Sequence, residues 1–228
     1  MVKKIKFLPY IFHILYFNFK YLPFKQAIYL PIFLYKPRLL KTKGKVIINT
    51  VNIKPGMIRL GEYIVSLYPN SGIVWENHGG TVIFEGKCRI GNDSKLSIGS
   101  NGNLTFGNTF ASSAALKLAC YNLIQFRSSV RIGWDCLFMD TDFHKIKTIE
   151  GKESKGYGTI DIGANNWFGT GTTVFKNTCT PDYTIIAAKS ILNKKYDFPS
   201  YSLIGGIPVK LLKSGVYRDV EDDKLNYV

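Results

Sequence analysis

Residues 162–169 read Ile162-Gly163-Ala164-Asn165-Asn166-Trp167-Phe168-Gly169, and from Ile162 onward an apolar residue returns at almost every sixth position. Positions 162, 168, 174, 180, 186, 192, 198 and 204 are Ile, Phe, Val, Thr, Ile, Leu, Phe and Ile. Upstream, positions 114, 120, 126, 132 and 138 are Ala, Cys, Phe, Ile and Phe, so twelve of the thirteen are apolar where a 46% hydrophobic composition gives about six. An apolar residue followed by glycine recurs as well, at Leu60-Gly61, Ile90-Gly91, Ile98-Gly99, Phe106-Gly107, Ile132-Gly133, Ile162-Gly163, Phe168-Gly169 and Ile204-Gly205. A helix does not tolerate that glycine density. Short extended segments joined by turns do, because Gly and Asn accept positive φ at corners. Each six-residue unit supplies one short strand and one turn, and stacked units bury a column that none could bury alone. The reading is an all-β protein, a parallel β-helix over residues 46–213.

Outward from this register, the pattern loosens. The steps at Ile90, Ile98 and Phe106 are eight apart, and residues 107–113 break the phase, so irregular early coils are expected. Residues 139–160 are a long polar excursion around Gly151, Gly156 and Gly158, read as a loop thrown out of the solenoid. Residues 214–228 form a short C-terminal tail.

Residues 1–45 differ again. Eleven Phe and Tyr residues between Phe7 and Tyr35 are interleaved with lysines, and Pro9, Pro23, Pro31 and Pro37 allow only short helices. Such a segment suits a membrane surface, where rings sit at headgroup level and lysines meet anionic lipid. It equally suits a cap packed on the body or on a neighbouring subunit. Both readings stay open at this point.

The chain has 228 residues and a net charge of +14, which raises the question of nucleic acid. Residues 1–61 hold twelve Lys or Arg and no acid, leaving eighteen bases against sixteen acids in the remainder. A groove that tracks phosphates needs its bases on the folded body, so no nucleic-acid partner is expected. Cys88, Cys120, Cys136 and Cys179 lack metal or redox spacing and read as reduced, partly buried thiols. The apolar stretch 7–19 lacks a signal-peptide cleavage site and is too short and polar to span a bilayer, which points to the cytoplasm, at the inner membrane if the segment anchors there.

Of three histidines, His13 lies in the aromatic segment, His78 in the turn-like Glu76-Asn77-His78-Gly79-Gly80, and His144 in Asp140-Thr141-Asp142-Phe143-His144 at the root of the loop. An imidazole takes a proton near neutral pH, and a carboxylate on its other nitrogen fixes the tautomer. Asp142 or Asp140 could be that group. Scattered histidines do not make a metal site, and there is no nucleophile elbow, P-loop or dinucleotide fingerprint, which removes triad hydrolases, kinases and dehydrogenases.

Ile162-Gly163-Ala164-Asn165-Asn166-Trp167-Phe168-Gly169 resembles the I-G-x-N-x-W-I-G coil of hexapeptide-repeat acyltransferases, in their bacterial polysaccharide O-acetyltransferase branch. Tyr201-Ser202-Leu203-Ile204-Gly205-Gly206-Ile207-Pro208-Val209-Lys210 resembles that family's Y-S-x-x-x-G-x-P-A-K ending, and Asp142-Phe143-His144 its D-x-H. The resemblance covers residues 80–213. It implies a left-handed β-helix, a homotrimer with active sites between subunits, and acetyl-CoA as donor without a metal. His144 would be the general base, with Asp142 behind it and a backbone N–H near Gly169 facing the oxyanion. Gly169, Thr170, Ala187, Ala188, Lys189, Pro208 and Lys210 would line the CoA path, and Trp134, Tyr157 and Trp167 would touch the acceptor. One departure stands out: Lys189 occupies a usual glycine position.

The activity so implied is O-acetylation of a sugar in a bacterial surface polysaccharide, free or lipid-linked. Two rivals are N-acetylation of an amino sugar nucleotide, and a β-helix without activity that binds membrane or glycan.

Overall fold

The structure, a computed structural model, describes residues 6–219. Short strands stack into three sheets. Sheet A takes Ile32–Leu34, Ile58–Glu62, Cys88–Gly91, Phe110–Ser112, Arg131–Ile132, Trp167–Phe168, Thr184–Ile186 and Ser202–Gly206. Sheet B takes Pro37–Thr42, Ile73–Asn77, Ser94–Ile98, Lys117–Cys120, Leu137–Met139, Thr173–Phe175 and Ile191–Leu192. Sheet C takes Lys45–Ile48, Thr81–Phe84, Asn103–Phe106, Leu123–Phe126, Thr159–Ile162 and Thr178–Thr180. The chain visits A, B and C in turn, each circuit forming one coil of a parallel β-helix. Val209–Ser214 then returns antiparallel along Ser202–Gly206.

Register follows the repeat where the repeat is strict. Trp167 pairs with Ile185 and Ile185 with Leu203, eighteen residues and three six-residue units per coil. Earlier coils are longer: Ala111 pairs with Arg131 and Lys95 with Lys117. Ile162, Phe168, Val174, Ile186, Leu192 and Ile204 all point inward and are buried, as the column predicts. Thr180 is buried in the same column, and its hydroxyl accepts the Gly163 N–H at 3.2 Å, which satisfies the polar atom. Phe198 departs from the column. It is half-buried and outside any strand, while Tyr196 takes the buried place and stacks on it with ring centroids 5.9 Å apart.

In the early coils large aromatics fill the wider interior. Phe84, Phe106 and Phe126 stack on successive strands of sheet C, with ring centroids 5.4 and 5.7 Å apart, and Phe110 leans on the second and third at 4.7 and 5.0 Å. Such offset ring pairs add to what area burial alone contributes.

The first coil begins at Ile32, inside the segment read from sequence as a separate 1–45 appendage. Pro31 ends the helical stretch, and Ile32-Phe33-Leu34 alternates inward and outward like every later strand. Ahead of it lie α1 (Ile11–Tyr21) and α2 (Phe24–Ala27), short as the prolines require. They close the open end of the solenoid. Ile14 and Phe17 are buried, and Phe17 meets Trp75 edge-on at 5.1 Å. Buried Asn18 donates to the Ile32 carbonyl at 2.7 Å and accepts the Ile32 N–H at 3.1 Å, pairing a strand edge that lacks a neighbouring strand there.

The cap's other side is apolar and uncovered: Phe12 is 81% and Phe24 71% exposed, with Leu8, Phe19, Ile28 and Tyr29 also exposed. Among the described residues, no helix is long and apolar enough to cross a membrane.

Candidate functional site

Two corners of the solenoid carry the residues singled out from sequence. At the corner between sheets A and B, the turns Gly133-Trp134, Gly169-Thr170, Ala187-Ala188-Lys189 and Gly205-Gly206 lie over one another on successive coils. The backbone holds them so: Gly133 N–H donates to the Phe168 carbonyl, Gly169 to Ile186 and Ala187 to Ile204, each at 2.8 Å. Gly169 is glycine because of this stacking, since a Cβ there would lie 2.6 Å from the Ala188 nitrogen. Its own N–H is taken by the Ile186 carbonyl at 2.8 Å, so an oxyanion donor near Gly169 has to be another backbone N–H of the turn.

Lys189 adopts positive φ (59°), the conformation that makes glycine usual at this place, and its side chain lies against Gly171. Pro208 sits in the turn before Val209–Ser214, whose pairing brings Lys210 opposite Gly205. Ser190 closes the group by accepting the Gly206 N–H at 3.0 Å. Gly169, Thr170, Ala187, Ala188, Lys189, Pro208 and Lys210 therefore form one continuous strip. Trp134 and Trp167, each 36% exposed, flank its upper end, and with Gly169 and Thr170 they line a cavity of about 340 Å³.

The second corner joins sheets B and C. Here the excursion leaves after Met139 and returns at Thr159, its two arms running antiparallel through Thr141 opposite Tyr157 and Lys147 opposite Glu153. His144 and Tyr157 line a cavity of about 580 Å³ together with Tyr121 and Phe143. The imidazole has no hydrogen-bond or ion-pair partner among the described residues. Neither aspartate reaches it. Asp140 is buried and accepts the N–H groups of Tyr121 and Asn122 at 2.7 and 2.8 Å, and burial raises its pKa against those bonds. Asp142 pairs with Lys176 at 2.6 Å. Tyr157 is thus grouped with His144, apart from the two tryptophans with which it was classed.

Sheet B separates the two corners. The strip lies where its strands begin and His144 where they end, so within one chain the base and the strip face different edges.

A third group escaped the sequence reading. His78 Nε2 lies 3.1 Å from the Glu76 carboxylate on the His144 corner, and Glu76 also accepts from Ser97 at 2.7 Å, whose hydroxyl lies 3.2 Å from that of Tyr121. The Ser97 bond foremost, helped by His78, holds the Glu76 carboxyl below the usual carboxylate range. Spacing was the available signal, because residues i and i+2 share a face of an extended chain. The cysteines match their expected inert role. Cys88, Cys120 and Cys136 are buried, and burial pushes each thiol up, Cys136 to about 11, so none is a ready nucleophile. No group of metal-ligating side chains occurs among the described residues.

No protein-family model matches the chain, and no curated protein sequence does. Solved structures do resemble it. The polySia-specific acetyltransferase NeuO superposes with a TM-score of 0.53 at 16% identity, over 82% of this chain and 91% of that one. The polysialic acid O-acetyltransferase OatWY gives 0.36 at 17% identity, over 84% and 95%. A hexapeptide-repeat containing acetyltransferase from Vibrio cholerae, complexed with acetyl coenzyme A, gives 0.34 at 13%, over 90% and 84%. The first of these likenesses carries the architecture: the fold of this chain is a left-handed parallel β-helix, shared with that structure.

Proposed function

We propose that the protein is an acyltransferase that moves an acetyl group from acetyl-CoA to a hydroxyl of a bacterial surface-polysaccharide sugar. The observation that carries this reading is the strip from Gly169 to Lys210, where small residues on three stacked turns run along the solenoid towards Lys189 and Lys210. A pantetheine arm can lie along such a strip, with Lys210 and Lys189 as point charges for the phosphates. The solved structures named above are acetyltransferases, one with acetyl coenzyme A bound. His144 draws the proton from the acceptor hydroxyl as the oxygen attacks the thioester carbonyl, and returns it to the departing thiolate. Because strip and base occupy opposite edges of sheet B, the centre is completed between two copies, His144 of one meeting the strip of the next, as in a homotrimer.

The uncovered face of the N-terminal cap suits an anionic lipid surface. Its exposed rings are flanked by Lys20 and Lys25, and no acid precedes Glu62. That placement serves a lipid-linked acceptor in the cytoplasm, at the inner membrane.

The deciding test is thermal unfolding with increasing acetyl-CoA, since a ligand bound only by the native state raises the midpoint as it saturates. A saturable rise, reduced in Lys210→Ala, is expected. No rise up to millimolar concentration would sink the transferase reading. Flotation with vesicles rich in anionic lipid reads the cap, and loss of flotation in the pair Phe12→Ser and Phe24→Ser is the expected result.

A further inference from the structure

One column of the strip changes size in a single direction. Ile204, Ile186, Phe168 and Ile132 pair in register on successive strands of sheet A, and two residues past each stand Gly206, Ala188, Thr170 and Trp134. A ligand lying along the strip from the Lys210 end meets no side chain, then a methyl, then a branched hydroxyl, then an indole. On the next coil the equivalent residue is Ala114, small enough to let the strip continue, yet it is fully buried.

The connection between Ile58–Glu62 and Ile73–Asn77 lies over that place. Asn92, the column's member one coil beyond Ala114, is fully buried and commits its whole amide to residues 63–71. Its Oδ1 accepts the N–H groups of Ile64 and Val65, each at 3.3 Å, and its Nδ2 donates to the carbonyls of Val65, Tyr68 and Pro69 at 3.2, 3.3 and 3.1 Å. Ser71 adds a bond to Asp93 at 2.8 Å. A satisfied buried amide fixes the shape of the loop it serves. The loop then sets the Tyr68 ring against Trp134, with centroids 6.1 Å apart. Held on Asn92 and packed on Trp134, it spans Ala114 between them and backs the indole. The way round the indole is the 340 Å³ cavity, whose wall includes Arg89, Arg131 and Arg218, with the Arg218 guanidinium 4.7 Å over the Trp167 ring. Desolvating those cations opposes the entry of an alkyl chain.

We propose that Trp134, held in place by Tyr68, is the end wall of the strip and limits the transferred acyl group to a short one. Tyr68 is a positioning residue here: it acts through the indole it supports. The thioester lies at the Trp134 end because the phosphates belong with Lys189 and Lys210 at the other. The length limit therefore rests on the acyl-transfer reading, and deepens it by naming what fixes the donor's acyl chain.

Isothermal titration of the full chain with CoA, acetyl-CoA, butyryl-CoA and hexanoyl-CoA tests the wall. CoA and acetyl-CoA should bind alike, and hexanoyl-CoA at least about tenfold more weakly, since a single methylene in a closed pocket already changes affinity by about that factor. Tyr68→Ala lets the indole turn aside and should bring hexanoyl-CoA close to the acetyl-CoA affinity, with acetyl-CoA itself unchanged. Tyr68→Phe keeps the ring and should keep the wild-type ratio, as should Leu67→Ala at the exposed tip of the loop. Damage to the fold weakens all four ligands together, so the ratio between chain lengths is the readout. Hexanoyl-CoA bound by the wild type as tightly as acetyl-CoA, or a ratio unchanged in Tyr68→Ala, would overturn the wall and leave the donor strip standing. Binding of none of the four, CoA included, would remove the acyl-transfer reading and the wall with it.

Discussion

The two halves of the solenoid solve the same packing problem differently. From Trp167 onward each coil has eighteen residues and one modest apolar side chain per side, and the turns are short enough to stack into a smooth strip. Before Arg131 the coils are longer, paired phenylalanines fill the interior, and the outer face carries an arginine row. Regular coils suit a ligand that runs along the axis in one conformation. Irregular coils supply grooves and excursions for a partner whose shape varies. The proposed donor strip lies in the regular half and the arginines of sheet A in the irregular one.

The largest expected effect tests whether the excursion belongs with the regular half as its base. His144→Ala should lower transfer by about a hundredfold or more while keeping the acetyl-CoA melting shift. His78→Ala is the counterpart, since His78 has the carboxylate partner that His144 lacks. Full activity in His144→Ala with loss in His78→Ala would move the general base to the earlier coils.

Next in size is the core. Phe106→Ala should cost about 3–5 kcal/mol in denaturant unfolding, because it empties the middle of the ring stack. Val174→Ala in the regular half removes fewer atoms and should cost clearly less. Equal losses would mean that the early coils collapse around the missing ring.

Smaller again is the cap. Asn18→Ala leaves the Ile32 N–H and carbonyl unpaired in a buried place, a loss of about 1–3 kcal/mol by the same measurement. Least of all, Lys176→Ala breaks a partly exposed ion pair with Asp142 and should change stability by under about 1 kcal/mol. A markedly larger drop there, in activity rather than in melting, would show that the pair positions the loop.

What the sequence disclosed followed the same division. Strict repetition made the later column readable, down to the odd Thr180, which turned out to have a partner in the Gly163 N–H. The residues that the resemblance places on the CoA path fall on stacked turns, because the motifs that carry them recur in step with the coils. The arginine row was not readable, since Arg59, Arg89 and Arg131 are thirty and forty-two residues apart and only the pairing register aligns them. Near-balance of charge after residue 61 concealed a local excess. The orienting aspartate was expected from adjacency, yet loop residues two apart took different partners, Asp140 the backbone and Asp142 a lysine from the next coil. The extent of the appendage was misread because aromatic composition continues across Pro31 into the first strand.

Asn18 has one more consequence. A stack of parallel strands has no intrinsic length, and an unpaired first coil is a template on which the last coil of another molecule could add, head to tail, into a filament. The amide of Asn18 terminates growth at one end, and the antiparallel return Val209–Ser214, with Lys210 and Lys213 on its edge, terminates it at the other. The N-terminal helix is in this sense a polymerisation stop, and a chain shortened past Ile32 should be seen in the electron microscope as fibres.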